Sequence, residues 1–184
     1  MRLTFRLSAL APLTLAVALA APAHAKNPNV GGAPMFENKT IVENAVNSKD
    51  HTTLVAAVKA AGLVDTLSGP GPFTVFAPTN AAFKKLPAGT VESLVKPENK
   101  ATLTKVLTFH VVPGSYSSTD LMALAKKSGG QAELKTAQGD TLAVIQKSGK
   151  LYVADSKGNT ARITTANVRQ SNGMIHVIDK VVMP

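Results

Sequence analysis

The segment of residues 71–83, Gly-Pro-Phe-Thr-Val-Phe-Ala-Pro-Thr-Asn-Ala-Ala-Phe, constrains the fold of this chain more than any other segment. Its β-favouring residues from Phe73 to Phe76 predict a strand, which Pro78 ends. Thr79 and Asn80 are both good helix caps, so they predict a turn into a short helix that carries Phe83. Three of the six phenylalanines of the chain lie in this segment. We therefore expect their rings to form a seam of the hydrophobic core.

The N-terminus has the pattern of a secretory signal peptide. Arg2 and Arg6 form a basic start, residues 7–21 are almost wholly apolar, and Ala-His-Ala at 23–25 is a small-x-small cleavage site. The apolar run contains a proline and is shorter than the about 20 residues that a membrane-spanning helix needs. We therefore predict that the chain is cleaved after Ala25, is secreted or periplasmic, and does not span a membrane.

The remainder divides into a short leader and one domain. Residues 26–38 are polar, contain glycine and proline, and predict a flexible leader. Residues 39–184 have the length of a single domain and can bury a core without covalent cross-links. The chain has no cysteine, which excludes disulfides, thiolate metal sites and a cysteine nucleophile. An exported protein without cysteine is typical of bacteria and must fold by core burial alone.

The chain is basic, with 20 Lys and Arg against 11 Asp and Glu. Its lysines are dispersed along the sequence, and only Lys84-Lys85 and Lys126-Lys127 are adjacent pairs. Nucleic-acid-binding proteins cluster their positive charge and place exposed aromatic residues among it, which this sequence does not do. We interpret the cations as solvated faces that can attract anionic envelope polymers or lipid headgroups, and we expect no nucleic-acid partner.

Helices are predicted mainly in the first half of the chain and hairpins in the second half. Apolar residues at helical spacing predict short helices up to residue 127, interrupted by the strand at 73–76 and by a second strand at Phe109–Val112. Later strands are predicted at residues 132–136, 141–147, 151–154, 162–165 and 174–183. This segregation indicates an α+β fold and not a wound parallel sheet.

Three segments, taken in order, resemble the signatures of the fasciclin domain family. Residues 73–83 resemble its first signature, Phe109-His-Val-Val-Pro-Gly114 resembles its central tyrosine-histidine motif, and residues 172–184 resemble its closing signature. Their order and spacing extend the resemblance from about residue 39 to Pro184. The resemblance implies a wedge-shaped β-sandwich of about seven strands with helices along one edge. It also implies extracellular, non-catalytic work in adhesion, matrix contact or envelope association.

The family motifs also provide candidate binding residues. In animal members, adhesion is attributed to the tyrosine-histidine motif and to an Asp-Ile pair ahead of the closing signature. This chain has Phe109 at the tyrosine position and Asn167-Val168 at the Asp-Ile position, so the hydroxyl and the cation-binding carboxylate are missing, and integrin binding is not expected. The candidates for a binding patch are Phe109, His110, Tyr116, Asn167, Val168, Asn172 and His176. All of them could equally be framework.

Other motif residues are interpreted as purely structural. They are Phe73, Phe76, Pro78, Thr79, Asn80, Phe83 and Gly173. The side-chain amides of Asn80 and Asn172 can satisfy the backbone groups of neighbouring turns. Gly173 is expected to allow either a positive φ or a close backbone approach at the start of the last strand.

The sequence contains no recognisable catalytic or metal-binding arrangement. It has no Gly-x-Ser-x-Gly elbow, and the histidines at 51, 110 and 176 do not have the spacing that metal ligands share. We expect His51 at the surface, and His110 and His176 buried, each bonded to a backbone carbonyl. Neither an enzymatic activity nor a cofactor is expected.

Two functions remain open. The first is an exported interaction module that binds a protein or an envelope polymer. The second is a carrier of a lipophilic small molecule, such as a pigment or lipid, because some algal members of the family hold carotenoids. Valine, leucine and methionine side chains between the helices and the sheet could line a cleft for such a ligand.

Overall fold

A computed structural model describes residues 27–184 of the chain. The predicted signal peptide and its cleavage site lie outside these residues. Residues 29–34 form a hairpin of two short strands, β1 (Asn29–Val30) and β2 (Ala33–Pro34). Val30 is buried in the core and Met35 is 2% exposed. The expectation of a flexible leader is therefore wrong for residues 29–35, because their apolar side chains are fixed in the core.

Six of the seven described α-helices precede residue 110, as the sequence predicts. They are α1 (Ile41–Ala45), α2 (Thr52–Ala61), α3 (Val64–Ser68), α4 (Asn80–Phe83), α5 (Thr90–Leu94), α6 (Lys100–Phe109) and α7 (Ser118–Lys127), with single 3₁₀ turns at Lys49–His51 and Pro97–Asn99. Within residues 27–184 no helix is long and apolar enough to cross a membrane.

Local sequence signals explain several of the helix ends. Thr40 and Glu43 form a reciprocal capping box at the start of α1, and Gly62 ends α2 in the left-handed conformation. Thr79 caps α4, because its side chain accepts a hydrogen bond from the N–H of Ala82. The predicted strand-to-helix turn after residue 78 is therefore confirmed.

The seven longer strands form one mixed sheet. They are β3 (Phe73–Pro78), β4 (Val111–Pro113), β5 (Gln131–Lys135), β6 (Thr141–Lys147), β7 (Lys150–Ala154), β8 (Thr160–Gln170) and β9 (Gly173–Ile178). Their order in the sheet is β4-β3-β9-β8-β7-β6-β5. Strands β3 and β9 are parallel, and all other neighbours are antiparallel.

Strand β8 is bent, and its bend folds the sheet into a wedge-shaped sandwich. Its first part, Thr160–Arg162, pairs with β7, whereas the part from Ile163 to Gln170 pairs with β9 through two irregularities in register. Bulges of this kind bend a strand and increase its twist. The two halves of the sheet consequently share one apolar core, to which β3, β4 and β9 contribute from one side and β5, β6 and β7 from the other. The α+β prediction is confirmed.

Strand β3 separates this sandwich core from a second, helical core. Phe76 belongs to the sandwich core, whereas Val75 and Ala77 face the helices, in agreement with the two-residue period of a strand. Phe83 lies in the helical core, and Phe73 packs half-buried against the same core. The phenylalanines of the first signature are thus core residues, but they are divided between the two faces of β3 and do not form one seam.

Several predicted strands have different bounds in the structure. The largest extension is in β8, which is predicted at residues 162–165 and spans Thr160–Gln170. Phe109 is the last residue of α6 and His110 is its C-cap, so β4 begins only at Val111. The final strand stops at Ile178, and the chain continues without regular structure to Pro184. Val182 is nevertheless fully buried in the sandwich core, which explains why the apolar pattern extends past the last paired residue.

Candidate functional site

Five of the seven candidate binding residues lie inside the molecule. Phe109, Val168 and His176 have no exposed surface, His110 is 3% exposed and Asn172 is 8% exposed. Tyr116 is half-buried, and only Asn167 is exposed. A partner cannot contact most of these side chains directly, so the arrangement supports their interpretation as framework.

His110 is a buried hydrogen-bonding link between α6 and the C-terminal segment. Its Nδ1 lies 2.8 Å from the carbonyl oxygen of Val106, and its Nε2 lies 3.4 Å from the backbone nitrogen of Val182. A carbonyl can only accept and an N–H can only donate, so the ring is neutral with its proton on Nδ1. Burial lowers the pKa of His110 from 6.5 to about 4, although the bond to Val106 acts in the opposite direction.

His176 has the same role on strand β9, with the opposite tautomer. Its Nε2 donates to the carbonyl oxygen of Tyr116 at 2.8 Å, and its Nδ1 accepts from the N–H of Asn167 at 3.3 Å. The ring stacks on Phe76 with 5.7 Å between centroids. Burial lowers its pKa, so it too is neutral at pH 7. The prediction that both strand-motif histidines bind backbone carbonyls is confirmed.

His51 is also buried, so its predicted position at the surface is wrong. It is 3% exposed, and its Nδ1 lies 2.8 Å from Oγ of Ser48. Its surroundings are long-range, since Val30 and Met35 of the N-terminal segment line the same small cavity as this ring. Burial lowers the pKa of His51 as well.

His110, His176 and Asp155 are engaged in backbone contacts, whereas Nε2 of the buried His51 has no hydrogen-bond partner within residues 27–184. Both ring nitrogens of His110 and His176 have partners, as described above. The carboxylate of Asp155 accepts hydrogen bonds from the backbone of Lys157, Asn159 and Met183. Within residues 27–184 no three His, Asp or Glu side chains come together in a way that could hold a metal ion. This geometry stabilises turns and chain ends, and it leaves His110, His176 and Asp155 no free position for a substrate.

The side-chain amides of Asn172 and Asn80 form hydrogen bonds that connect segments far apart in the sequence. Oδ1 of Asn172 accepts from the N–H of Ile41 at 3.0 Å, and its Nδ2 donates to the carbonyls of Leu67 and Gly69 at 2.8 and 3.0 Å. Asn80 joins α4 to α2 in the same way, since its Oδ1 accepts from the N–H of Thr53 at 3.0 Å. Both amides satisfy backbone groups, as expected, but these groups belong to distant segments and not to the neighbouring turns. Each side chain satisfies backbone groups that would otherwise be costly to bury.

Gly173 allows strands β3 and β9 to start side by side. A Cβ atom at this position would overlap the carbonyl oxygen of Phe73, its partner in the parallel ladder. The close backbone approach expected at the start of the last strand is therefore confirmed.

Asn167 connects the bent strand β8 to helix α7. It has a left-handed φ of 60°, which asparagine tolerates better than most residues. Its Oδ1 accepts from the N–H of Ser118 at 2.7 Å, and its Nδ2 donates to Oγ of Ser118 at 2.8 Å. Ser118 is the first residue of α7. The side chain thus satisfies a free N–H at the helix start.

Replacing Asn167 with aspartate is expected to leave the fold intact and to change the free energy of unfolding by less than about 1 kcal/mol. A carboxylate can accept from both the N–H and the hydroxyl of Ser118, and negative charge is favourable at a helix N-terminus. Urea unfolding of the two proteins measures the difference. Asn167→Ala is the matched control, because it removes both bonds and should be the less stable variant. Loss of soluble protein on Asn167→Asp would contradict this description.

An apolar cleft lies between the helices and the sheet, where a carrier of a lipophilic molecule is expected to bind its ligand. Its lining includes Ile41 of α1, Val58 of α2, Leu67 of α3 and Leu107 of α6, all packed over β3. It encloses about 40 Å³, compared with the roughly 10–15 Å³ that a cavity needs to hold one water molecule. Pockets for pigment-sized ligands measure about 300–1,000 Å³. In this conformation the cleft is packed core and has no room for such a ligand.

The surface differs from the interior in carrying many unpaired cations. The one ion pair between residues of the described range, 27–184, joins Nζ of Lys85 to Asp179 at 4.0 Å. Exposed lysines elsewhere in this range therefore have no carboxylate within 4.0 Å. Their charges are available to an external anion.

The wedge-shaped sheet with a helical core on one side, together with the three ordered motifs, defines a fasciclin-type domain. A comparison with protein-family models bears this out, since the Fasciclin domain matches residues 49–184. The chain belongs to the fasciclin domain family.

Curated relatives agree with this assignment. Protein sll1483 of Synechocystis sp. is 50% identical over 145 residues, an alignment that covers 79% of this chain and 73% of that protein. Cell surface glycolipoprotein MPB83 of Mycobacterium bovis is 35% identical over 166 residues, covering 87% of this chain and 68% of that protein.

Among solved structures, a FAS1 domain pair from the insect cell adhesion molecule Fasciclin I has a similar fold. The superposition has a TM-score of 0.69 and covers 79% of this chain and 51% of that chain. The sequence identity is 20%, so this likeness concerns the fold alone.

Proposed function

We propose that this chain is an exported, non-catalytic interaction module that binds a protein or an anionic envelope polymer through its surface. Membership of the fasciclin family supports an interaction role. One relative is named a cell surface glycolipoprotein, and one structural neighbour is part of a cell adhesion molecule. An exported form that begins at Lys26 is part of the proposal.

The observation that supports the proposal most strongly is that the imidazoles of the motif histidines are buried, whereas the cationic side chains are exposed. The imidazoles of His110 and His176 are neutral, buried and bonded through both nitrogens. Cations, by contrast, are exposed, and within residues 27–184 nearly all of them lack an acidic partner. Such a molecule offers attraction and contact area to a partner, and it offers no activated group for catalysis.

The lipophilic carrier is the second candidate, because an apolar cleft does lie between the helices and β3. Loading it would require α1 and α3 to move away from the sheet, since the enclosed volume is about 40 Å³. The movement would also break the hydrogen bond that Asn172 accepts from the N–H of Ile41 and the one that it donates to the carbonyl of Leu67, which hold these helices in place. The interaction module needs no such rearrangement.

Purification of the exported protein from its native host separates the two candidates. The interaction module is expected to be colourless, to retain envelope material on an affinity column, and to release charged material in about 1 M NaCl, where the Debye length is about 3 Å. Mass spectrometry of the same sample should give Lys26 as the first residue. A pigment or a stoichiometric lipid in an organic extract would favour the carrier instead. A ligand-free protein that retains nothing would contradict both.

A further inference from the structure

The outward face of strands β6, β7 and β8 is a solvent-facing sheet surface with an unusual composition. The alternate residues of these strands, among them Leu142, Val153 and Ala161, are completely buried in the sandwich core. The residues between them consequently point away from the core. The central outward residues are Ile145, Lys147, Lys150, Tyr152, Thr160 and Arg162, which we call the cationic face.

The strand register brings these residues together. Ile145 of β6 is opposite Tyr152 of β7, and Tyr152 is opposite Arg162 of β8, so the three form one row across the sheet. Lys147 and Lys150 form the adjacent cross-strand pair, at the tip of the β6–β7 hairpin. Residues that are scattered over eighteen positions of the sequence therefore form one patch.

The lysine pair at the hairpin tip has no carboxylate within 4.0 Å among residues 27–184. Like charges directly opposite each other on antiparallel strands are destabilising. The turn holds the two residues there, because Ser148 and Gly149 both have positive φ, 51° and 72°, as a two-residue primed turn requires. The single ion pair of residues 27–184 lies elsewhere, at Lys85 and Asp179. An external anion would relieve the repulsion between the two lysines.

Two apolar side chains lie next to these cations. Ile145 and Tyr152 are half-buried and, together with Lys147, Ser148, Lys150 and Thr160, line an open depression of about 530 Å³. A tyrosine ring in such a position offers a flat apolar surface with a polar end, which suits the C–H-rich face of a sugar ring. The depression therefore combines an apolar surface of about the size of one sugar ring with ammonium groups at its edge.

We propose that the cationic face binds an acidic polysaccharide, a chain of sugar units that carry carboxylates. This proposal rests on the proposed function and names its partner. Charge complementarity is the argument, since three cations, Lys147, Lys150 and Arg162, border the depression. The acidic residues beside this face are Glu133, which points outward on β5, and Asp179, whose Oδ1 accepts from the backbone N–H of Arg162 at 2.8 Å. Lys150 and Arg162 are two positions apart along the strands and one strand apart across the sheet, or roughly 8 Å.

Polygalacturonate is the probe for the test, with uncharged dextran as its neutral counterpart. The triple variant K147Q/K150Q/R162Q is expected to bind polygalacturonate roughly tenfold more weakly than the wild type, since each exposed ion pair contributes only a few-fold. The matched control is K96Q/K100Q/K105Q, which removes the same charge from exposed positions in and before α6. It should bind like the wild type to within about twofold.

The aromatic part of the site has its own pair of variants. Tyr152→Phe keeps the ring and should retain the affinity for polygalacturonate, whereas Tyr152→Leu keeps the apolar volume without the ring and should lose several-fold. Urea unfolding checks all variants for folding. Removing the like-charged pair Lys147–Lys150 should not lower the unfolding midpoint.

Several results would overturn the proposal. They are an equal loss of affinity in the two triple variants, equal binding to dextran, or preferential binding to single-stranded RNA or to phosphatidylglycerol vesicles. Retention of envelope material by both the wild type and the K147Q/K150Q/R162Q variant would refute this site and leave the proposed function standing. A wild type that retains neither polygalacturonate nor envelope material would refute both.

Discussion

Replacing Phe76 with alanine is expected to lower the free energy of unfolding by about 3–5 kcal/mol. The ring is 0% exposed and lies in the sandwich core, stacked on His176. Both halves of the bent sheet contribute to this core, so neither half can close the cavity alone. The change removes apolar burial and also leaves the ring of His176 without its stacking partner.

Urea unfolding monitored by circular dichroism measures this loss. Phe76→Leu is the first control, because a volume-conserving replacement should cost less than about 1.5 kcal/mol. Phe36→Ala is the second control, since Phe36 is 36% exposed and packs only partly, under the ammonium group of Lys39; it should cost less than about 1 kcal/mol. A loss below about 1 kcal/mol for Phe76→Ala would show that the ring is not a core element.

The free energy of unfolding is expected to fall as the pH is lowered from 6.5 to about 4. The pKa of His110 in the folded protein is lowered by burial to about 4, from 6.5. Between these values the unfolded chain binds a proton that the folded protein does not, so acid favours unfolding. For this residue the loss amounts to roughly 3 kcal/mol, is absent above pH 6.5, and stops growing below pH 4. His51 and His176 act in the same direction, because burial lowers the pKa of each.

A series of urea unfolding curves between pH 7.5 and pH 5 measures the contribution of the histidines to the pH dependence of the free energy of unfolding. The carboxylates of Glu43 and Asp120, whose pKa values are lowered by hydrogen bonds from their N-cap residues, lose their contribution only at lower pH. His110→Asn removes the titrating group and keeps a donor for the carbonyl of Val106. The His110→Asn variant should show a smaller change of the free energy of unfolding with pH than the wild type, whether or not its urea unfolding midpoint differs. A variant slope equal to that of the wild type would contradict the neutral, buried imidazole.

Strands β5, β6 and β7 are the elements that the sequence predicts best. Strand β6, Thr141–Lys147, has the bounds predicted from sequence, and the neighbouring strands β5 and β7 differ by one residue at their ends. One face of these strands is buried and the other is solvated, so hydrophobicity alternates with the period of the strand itself. Such a pattern is local and can be read without knowledge of the neighbours.

The central motif was harder, for a physical reason. Phe-His-Val-Val at residues 109–112 is an apolar run without periodicity, and a run of this kind does not distinguish a helix end from a buried strand. The structure divides it, with Phe109 closing α6 and Val111 opening β4. Burial of His51 had no local signal either, because Val30 and Met35, which line the same small cavity as its ring, are about 20 positions away in a segment that looked like a leader.

The cationic face is not visible in the linear sequence, because it depends on the pairing of strands. The lysines at residues 147 and 150 are separated by a Ser-Gly turn and look dispersed. Strand pairing places them opposite each other and puts Arg162 in the neighbouring row. Their proximity depends on register, which is decided by the burial of the opposite face of the same strands.

Signals carried by neighbouring residues could all be recognised in advance: the helix caps at Thr40 and Thr79, the alternation along β6, the absence of thiol chemistry and the family motifs. Burial of His51, the two-core division by β3 and the clustering of cations could not. Each of these depends on contacts between residues far apart in the chain, and such contacts form only on folding, as where the bent strand β8 brings the two halves of the sheet together over a common core.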